Sequence, residues 1–295
     1  MTRPSVAFLG LGAMGLRMAL RLHSSGLDVV GWNRSAARRD DAHAHGLPVA
    51  ATIGEAVEGR ALVVTMLADP DAVREVLLGP DGVERRASSG TLVIEMSTID
   101  PATVQAVGAA LAVHGIDLVD VPVSGTLGPA ERGELVLLAG GRADHLARAR
   151  PVLEALGKRV VHAGGLGSGA ALKLVVNALG SYLCAGISNA LVLGGHLGLE
   201  RRTVLDAVLG GPFAPPVFAA KANRLLADDY DNPDFSMRLL AKDQRLVAHA
   251  AAEAGFRDDA HRMICQLVDD AVAHGDGEID LYGLVREVAR RQKPR

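Results

Sequence analysis

The chain reads as an α/β domain with a mainly parallel sheet, followed by an all-helical domain. Three observations predict this. Runs rich in Val, Ile and Leu alternate with helix-like stretches through the first half, strand signals stop after Gly169, and the first apolar run leads through a glycine-patterned turn into a helix. Strand-like runs cover 6–10, 27–32, 61–67, 91–96, 116–123, 135–141 and 159–164, with helix-like runs at 14–25, 35–45, 53–58, 70–78, 101–114 and 143–156. Strands that are apolar throughout, separated by helices, belong to a parallel sheet covered on both faces. From about 169 onward the pattern is helical: 169–197, 201–209, 216–227, 235–254, 258–274 and 280–291. The Gly-rich stretch at 163–168 separates the two, giving domains 1–163 and 164–295.

Composition narrows the function classes. A chain of 295 residues with 49% apolar residues is long enough for about two domains with sizeable cores. Only 3% of residues are aromatic and the net charge is −3, so neither base stacking nor an electrostatic attraction to nucleic acid or an anionic membrane is expected. Cys184 and Cys265 are far apart in apolar settings, which fits buried thiols in a reducing cytoplasm, and no Cys/His spacing suggests a metal site. The N-terminus runs directly into a strand, so no signal peptide is expected. One segment, 174–199, has no formal charge and is long enough to cross a bilayer. It carries Asn177, Ser181, Tyr182, Ser188, Asn189 and His196, and a helix buried all round in a protein core fits it better than a membrane span.

The turn is Gly10-Leu11-Gly12-Ala13-Met14-Gly15. A strand, a G-x-G-x-x-G turn and a helix in that order make a phosphate cradle for a dinucleotide. Gly10 permits the tight turn, Gly12 lets the backbone approach a pyrophosphate, and Gly15 lets helix and strand pack closely. The helix N-terminus adds free N–H groups and a positive dipole end. At the end of the second strand, where an acidic residue would bind the ribose 2′-hydroxyl of NAD, the chain has Asn33-Arg34-Ser35 followed by Arg38 and Arg39. A guanidinium there suits a 2′-phosphate, so NADP is expected in preference to NAD.

Between Val160 and Leu199 the only formal charge is Lys173, with Asn177 and Ser181 four and eight residues on, along one helix face. The lysine either snorkels from a helix end or sits in a cleft. The polar stripe favours the cleft, where burial would lower its pKa toward the range useful for proton exchange. No Tyr-x-x-x-Lys pair is present and zinc ligands are lacking, which leaves metal-free hydride transfer with a lysine acid/base.

Five ordered segments, 8–15 (FLGLGAMG), 93–101 (VIEMSTIDP), 120–141 (DVPVSGTLGPAERGELVLLAGG), 167–180 (GSGAALKLVVNALG) and 235–247 (FSMRLLAKDQRLV), resemble the β-hydroxyacid dehydrogenases over nearly the whole length. The branch containing the NADPH-dependent glyoxylate/succinic semialdehyde reductases is the most similar. The resemblance implies a Rossmann-type domain, reduction of small semialdehydes or keto acids (or oxidation of β-hydroxy acids), and a homodimer or homotetramer. It implies catalytic roles for Lys173 and Asn177 and a substrate-carboxylate loop at Ser124, Gly125 and Thr126. Ser97 and Thr98 would lie near nicotinamide and substrate, Lys242 and Asp243 would close over the cofactor, and Phe235 would line the substrate site. Met66, Leu67 and Ala68 complete the expected cofactor set. Read without the family, Ser97-Thr98 before Asp100-Pro101 fits a helix N-cap, and Ser124-Gly125-Thr126 fits an ordinary turn as well as an anion nest. The related imine reductases share the architecture but characteristically lack the lysine. A non-catalytic NADPH-binding module is the other alternative.

Overall fold

The computed structural model describes residues 4–292, so the outermost residues of both expected domain ranges lie outside the described residues. The strands are β1 Ser5–Leu9, β2 Asp28–Trp32, β3 Leu62–Thr65, β4 Leu92–Glu95, β5 Asp117–Asp120, β6 Val123–Ser124, β7 Leu135–Gly140 and β8 Gly157–Gly164. They form one sheet in the order β2-β1-β3-β4-β5-β7-β6, with β8 on β7. Pairing is parallel from β2 through β5 and again between β7 and β8. Only β7 runs antiparallel to β5 and β6. The apolar run at 116–123 is therefore two strands, parted at Val121-Pro122, where proline has no N–H to give a ladder.

Side chains that alternate along each strand serve two different cores. Val6, Phe8, Leu62, Val64, Leu92 and Ile94 face one core, covered by helices Ala13–Ser24 and Ala143–Leu156. Ala7, Leu9, Val63 and Val93 face the other, covered by Pro70–Leu78 and Pro101–Val113. Both faces are dry, which is why the strands read as unbroken apolar runs.

Two short helices, Val83–Arg86 and Leu127–Arg132, were not legible as periodic segments. The cap before Pro101 falls on Asp100, whose carboxylate accepts from the Thr103 N–H at 2.7 Å, so Ser97 and Thr98 are not the cap. A Rossmann-like sheet and a helical C-terminal portion thus make up the fold.

The chain parts into two compact units between Leu174 and Val175. The second unit is helical, with Arg201–Leu209, Pro216–Ala227, Met237–Glu253, Asp259–Ala273 and Leu284–Arg290. Its core gathers Cys184, Leu205, Phe218, Tyr230, Met237, Val268 and Leu284. Within it Lys221 is buried and holds Asp234 at 2.8 Å and Asp280 at 2.7 Å. The expected helix at 280–291 is a short turn, Leu281–Gly283, followed by Leu284–Arg290.

The helix Ser168–His196 has a mean hydropathy of 1.5 in its most apolar stretch and is long and apolar enough to cross a membrane by those measures alone. Only 33% of that stretch is buried within the chain, which corrects the expectation of burial all round. Cys184, Ile187 and Leu191 enter the helical core, while Val175, Leu179 and Leu193 remain exposed.

Candidate active site

In the order β2-β1-β3-β4, the connection leaving the carboxyl end of β1 turns to one side and that leaving β3 turns to the other. Ligands of open parallel sheets bind at this kind of switch point, and the glycine turn lies there. Gly10 has φ +107°, and a Cβ on it would collide with the Met66 carbonyl. A Cβ on Gly15 would collide with the Gly10 carbonyl, which is the close helix–strand approach the spacing implies. A Cβ on Gly12 would meet nothing within 4 Å, so this is the side on which the backbone stands clear. Helix Ala13–Ser24 begins without a side-chain cap at Gly12, which suits its leading N–H groups and dipole to an anion.

The second strand's end is tied to this turn. The Gly10 N–H donates to the Trp32 carbonyl at 2.8 Å, and the Leu11 N–H donates to Asn33 Oδ1 at 2.9 Å. Arg39 donates to the Asn33 and Arg34 carbonyls at 2.7 and 3.2 Å, so it braces the turn from behind. Arg34 itself is exposed, with a loose 3.6 Å approach to Glu75. Such surface pairs hold a side chain weakly, which leaves the guanidinium able to move to a phosphate. Ser35 precedes helix Ala36–Ala44 without spending its hydroxyl on a capping bond.

At the ends of β3 and β4 a buried carboxylate organises the next part of the site. Glu95 accepts from the Thr65 hydroxyl and, at 2.6 Å, from the Ser97 N–H. Ser97 Oγ in turn accepts from the Leu67 N–H at 2.8 Å. The chain Thr65–Glu95–Ser97–Leu67 fixes the segment 66–68 against 97–98, two of the stretches expected to meet the cofactor. Burial pushes the Glu95 carboxyl up to about 7, against hydrogen bonds from Ser97 and Thr65 that pull it down.

Ser124 ends β6, and Gly125 follows with φ +149°, in the region that favours glycine. Thr126 precedes Leu127–Arg132, and its hydroxyl makes no capping bond. Lys173 is half-buried on the second turn of Ser168–His196. In the second unit Asn177 Nδ2 donates to Asp243 Oδ2 at 2.7 Å, and Lys242 lies 2.9 Å from Asp243 Oδ1. Asp243 is buried, and Phe235 is half-buried one residue before Ser236, the cap of Met237–Glu253. The expected residues therefore fall into a first-unit group (the glycine turn, 33–35, 66–68, 97–98, 124–126 and Lys173) and a second-unit group (Asn177, Lys242 and Asp243, with Phe235 nearby in sequence).

Two buried acids, Glu95 and Asp120, were missed. The available signal was a carboxylate closing an otherwise apolar strand run, in VIEM and in LVDV. Among the described residues, no group of three or more His, Cys, Asp or Glu side chains converges to hold a metal.

A parallel sheet with a glycine turn at its switch point, backed by an uncapped helix, defines a dinucleotide-binding protein. Residues 5–165 match the family described as the NAD binding domain of 6-phosphogluconate dehydrogenase. Residues 167–288 match the NAD-binding domain of NADP-dependent 3-hydroxyisobutyrate dehydrogenase. The chain is 31% identical to glyoxylate/succinic semialdehyde reductase 1 of Arabidopsis thaliana, over 96% of this chain and 98% of that protein. It is 35% identical to NAD-dependent L-serine dehydrogenase of Pseudomonas aeruginosa, over 83% of this chain and 85% of that one. A structure of Mycobacterium tuberculosis 3-hydroxyisobutyrate dehydrogenase with L-serine superposes with a TM-score of 0.88 at 29% identity, covering 97% of this chain and 99% of that one. The chain belongs to the β-hydroxyacid dehydrogenase family.

Proposed function

We propose that the protein is an NADPH-dependent oxidoreductase that interconverts a small semialdehyde or keto acid and its hydroxy acid, with Lys173 as acid/base and no metal. The reading rests above all on Lys173, the one formal charge between Val160 and Leu199, carried on a long helix with Asn177 four residues on. When bound, the nicotinamide supplies the hydride that reduces the carbonyl carbon. Protonated Lys173 donates its proton to the oxygen as negative charge develops there, and in the reverse direction the neutral amine takes it back. Ser124, Gly125 and Thr126 hold the substrate carboxylate through hydroxyl and backbone donors. Asn177, held by Asp243, presents its amide beside the lysine on the same helix, and Phe235 supplies an apolar wall. Gly10 to Gly15, with Met66 to Ala68, Ser97 and Thr98, bind the dinucleotide, and Lys242 and Asp243 are the cofactor-binding candidates of the second unit. The nucleotide-binding part takes in 1–163 and the substrate part 164–295.

Arg34 carries the choice of NADP over NAD. Arg34→Ala is expected to weaken NADPH binding about 10–100-fold while NADH binding changes little, the loss typical of a hydrogen bond to a charged group. Fluorescence titration with both cofactors checks this, and an equal loss for the two would assign the arginine another role.

The protein is expected to act in the cytoplasm as a homodimer or homotetramer, the second copy covering Val175, Leu179 and Leu193. Sedimentation at micromolar concentration should show a dimer or larger. A monomer throughout, or recovery in the membrane fraction, would contradict this. The activity itself is tested by NADPH oxidation with glyoxylate, succinic semialdehyde, methylmalonate semialdehyde, tartronate semialdehyde and a cyclic imine. Turnover of at least one semialdehyde or keto acid is expected. Turnover of the imine alone would make the protein an imine reductase, and binding of NADPH without any turnover would make it a non-catalytic module.

A further inference from the structure

The long helix Ser168–His196 does not start in solvent. Asp120, the last residue of β5, is buried, and both of its carboxylate oxygens point at the helix's beginning. Oδ1 accepts from the Gly167 N–H at 2.8 Å, and Oδ2 accepts from the Ala170 N–H at 2.7 Å. These are donors at the entry and in the first turn of the helix, where the backbone lacks partners of its own. A carboxylate there also lies favourably against the positive end of the helix dipole.

Two glycines make this approach fit. Gly169 lies so close to the Leu138 and Asp120 carbonyls that a Cβ on it would collide with the first and crowd the second. A Cβ on Gly140, the β7 residue opposite Asp120, would collide with the Asp120 carboxylate. The first helical turn is thus fixed to the ends of β5 and β7 by two hydrogen bonds and two close backbone contacts. Lys173 follows Ala170 by three residues and so lies on the same side of the helix, one turn further. A helix transmits the placement of its first turn to its second with little give.

We infer that Asp120 is a positioning residue for Lys173: by gripping the Gly167 and Ala170 N–H groups it fixes where the lysine amine stands. This rests on the reading that Lys173 is the proton donor. Asp120 spends both carboxylate oxygens on the helix entry. It acts through the helix, and about an ångström of misplacement at the proton donor is enough to cost roughly a hundredfold in rate.

The test is a double-mutant cycle on the full chain, assayed with NADPH and the best carbonyl substrate of the panel. Asp120→Asn keeps one acceptor oxygen and loses the other, together with the charge. It is expected to lower kcat about tenfold or more, with the KM for NADPH unchanged. In a Lys173→Ala background the same substitution is expected to cost nothing further. If Asp120→Asn does not fold, Asp120→Ser, with a small uncharged acceptor, takes its place in the cycle. An equal kcat loss in both backgrounds would show a general structural effect and overturn the inference. So would a raised KM with kcat unchanged. Lys173→Ala at reduced kcat beside Asp120→Asn at wild-type kcat would overturn this inference alone, whereas Lys173→Ala at wild-type kcat would remove the lysine's role and the inference with it.

Discussion

Lys173→Ala is expected to lower kcat by about 10²–10⁴-fold, the usual contribution of a positioned general acid. Reducing a carbonyl places negative charge on its oxygen, and an ammonium group answers that charge twice, as a cation and as a proton source. No other formally charged side chain stands on the run from Val160 to Leu199 to take over the task. NADPH should still bind with near-normal affinity, because the glycine turn, the 33–35 turn and the Ser97–Leu67 link do not include the lysine. Single-turnover and steady-state rates, beside a cofactor titration, separate the two effects. Turnover within a few-fold of the parent would remove Lys173 from the chemistry, and a parallel collapse of NADPH binding would point to a structural role.

The second large effect concerns stability and pH. Glu95 has its carboxyl raised by burial from an ordinary 4.5 to about 7 in the folded chain. Below about pH 4.5 the group is protonated whether the chain is folded or not. Between there and about 7, the folded chain keeps a proton that the unfolded chain has released, so stability falls as pH rises through this interval and stays lower above it. A rise of that size corresponds to about 3 kcal/mol. Glu95→Gln removes the titration while keeping an acceptor for the Ser97 N–H and gaining a donor that the Thr65 hydroxyl can accept. Urea unfolding at pH 5 and pH 8 should show the variant gaining on the parent by up to about 3 kcal/mol at the higher pH. Equal pH slopes for the two proteins would mean the carboxyl titrates normally.

Much of this architecture was legible in the sequence because it rests on local patterns. The parallel strands gave apolar runs, since residues such as Val63 and Val64 face opposite cores that are both dry. The glycine turn was legible because Gly10 and Gly15 each answer a steric demand, while Gly12 leaves the backbone clear between them. Helices of only four and six residues, Val83–Arg86 and Leu127–Arg132, are too short to show a period. The cap at Asp100 was hidden among neighbours Ser97 and Thr98, which are equally good capping types. Glu95 and Asp120 look like ordinary acids at strand ends, and only the fold shows that their oxygens reach Ser97, Gly167 and Ala170. The exposed side of Ser168–His196 could not be read either, because an apolar helix has the same composition whether its cover comes from its own chain or from elsewhere.

Among the described residues strand β8 pairs with β7 alone, and most of its residues face solvent. A long strand with an open flank is a template on which a stray polypeptide can add itself, the first step toward insoluble aggregate. Lys158, Arg159 and His162 lie along that strand, and side chains of this kind make docking by another strand unfavourable. Replacing them with apolar residues to tidy the surface would therefore cost solubility before it cost folding, so an engineer working on this scaffold should leave that margin basic.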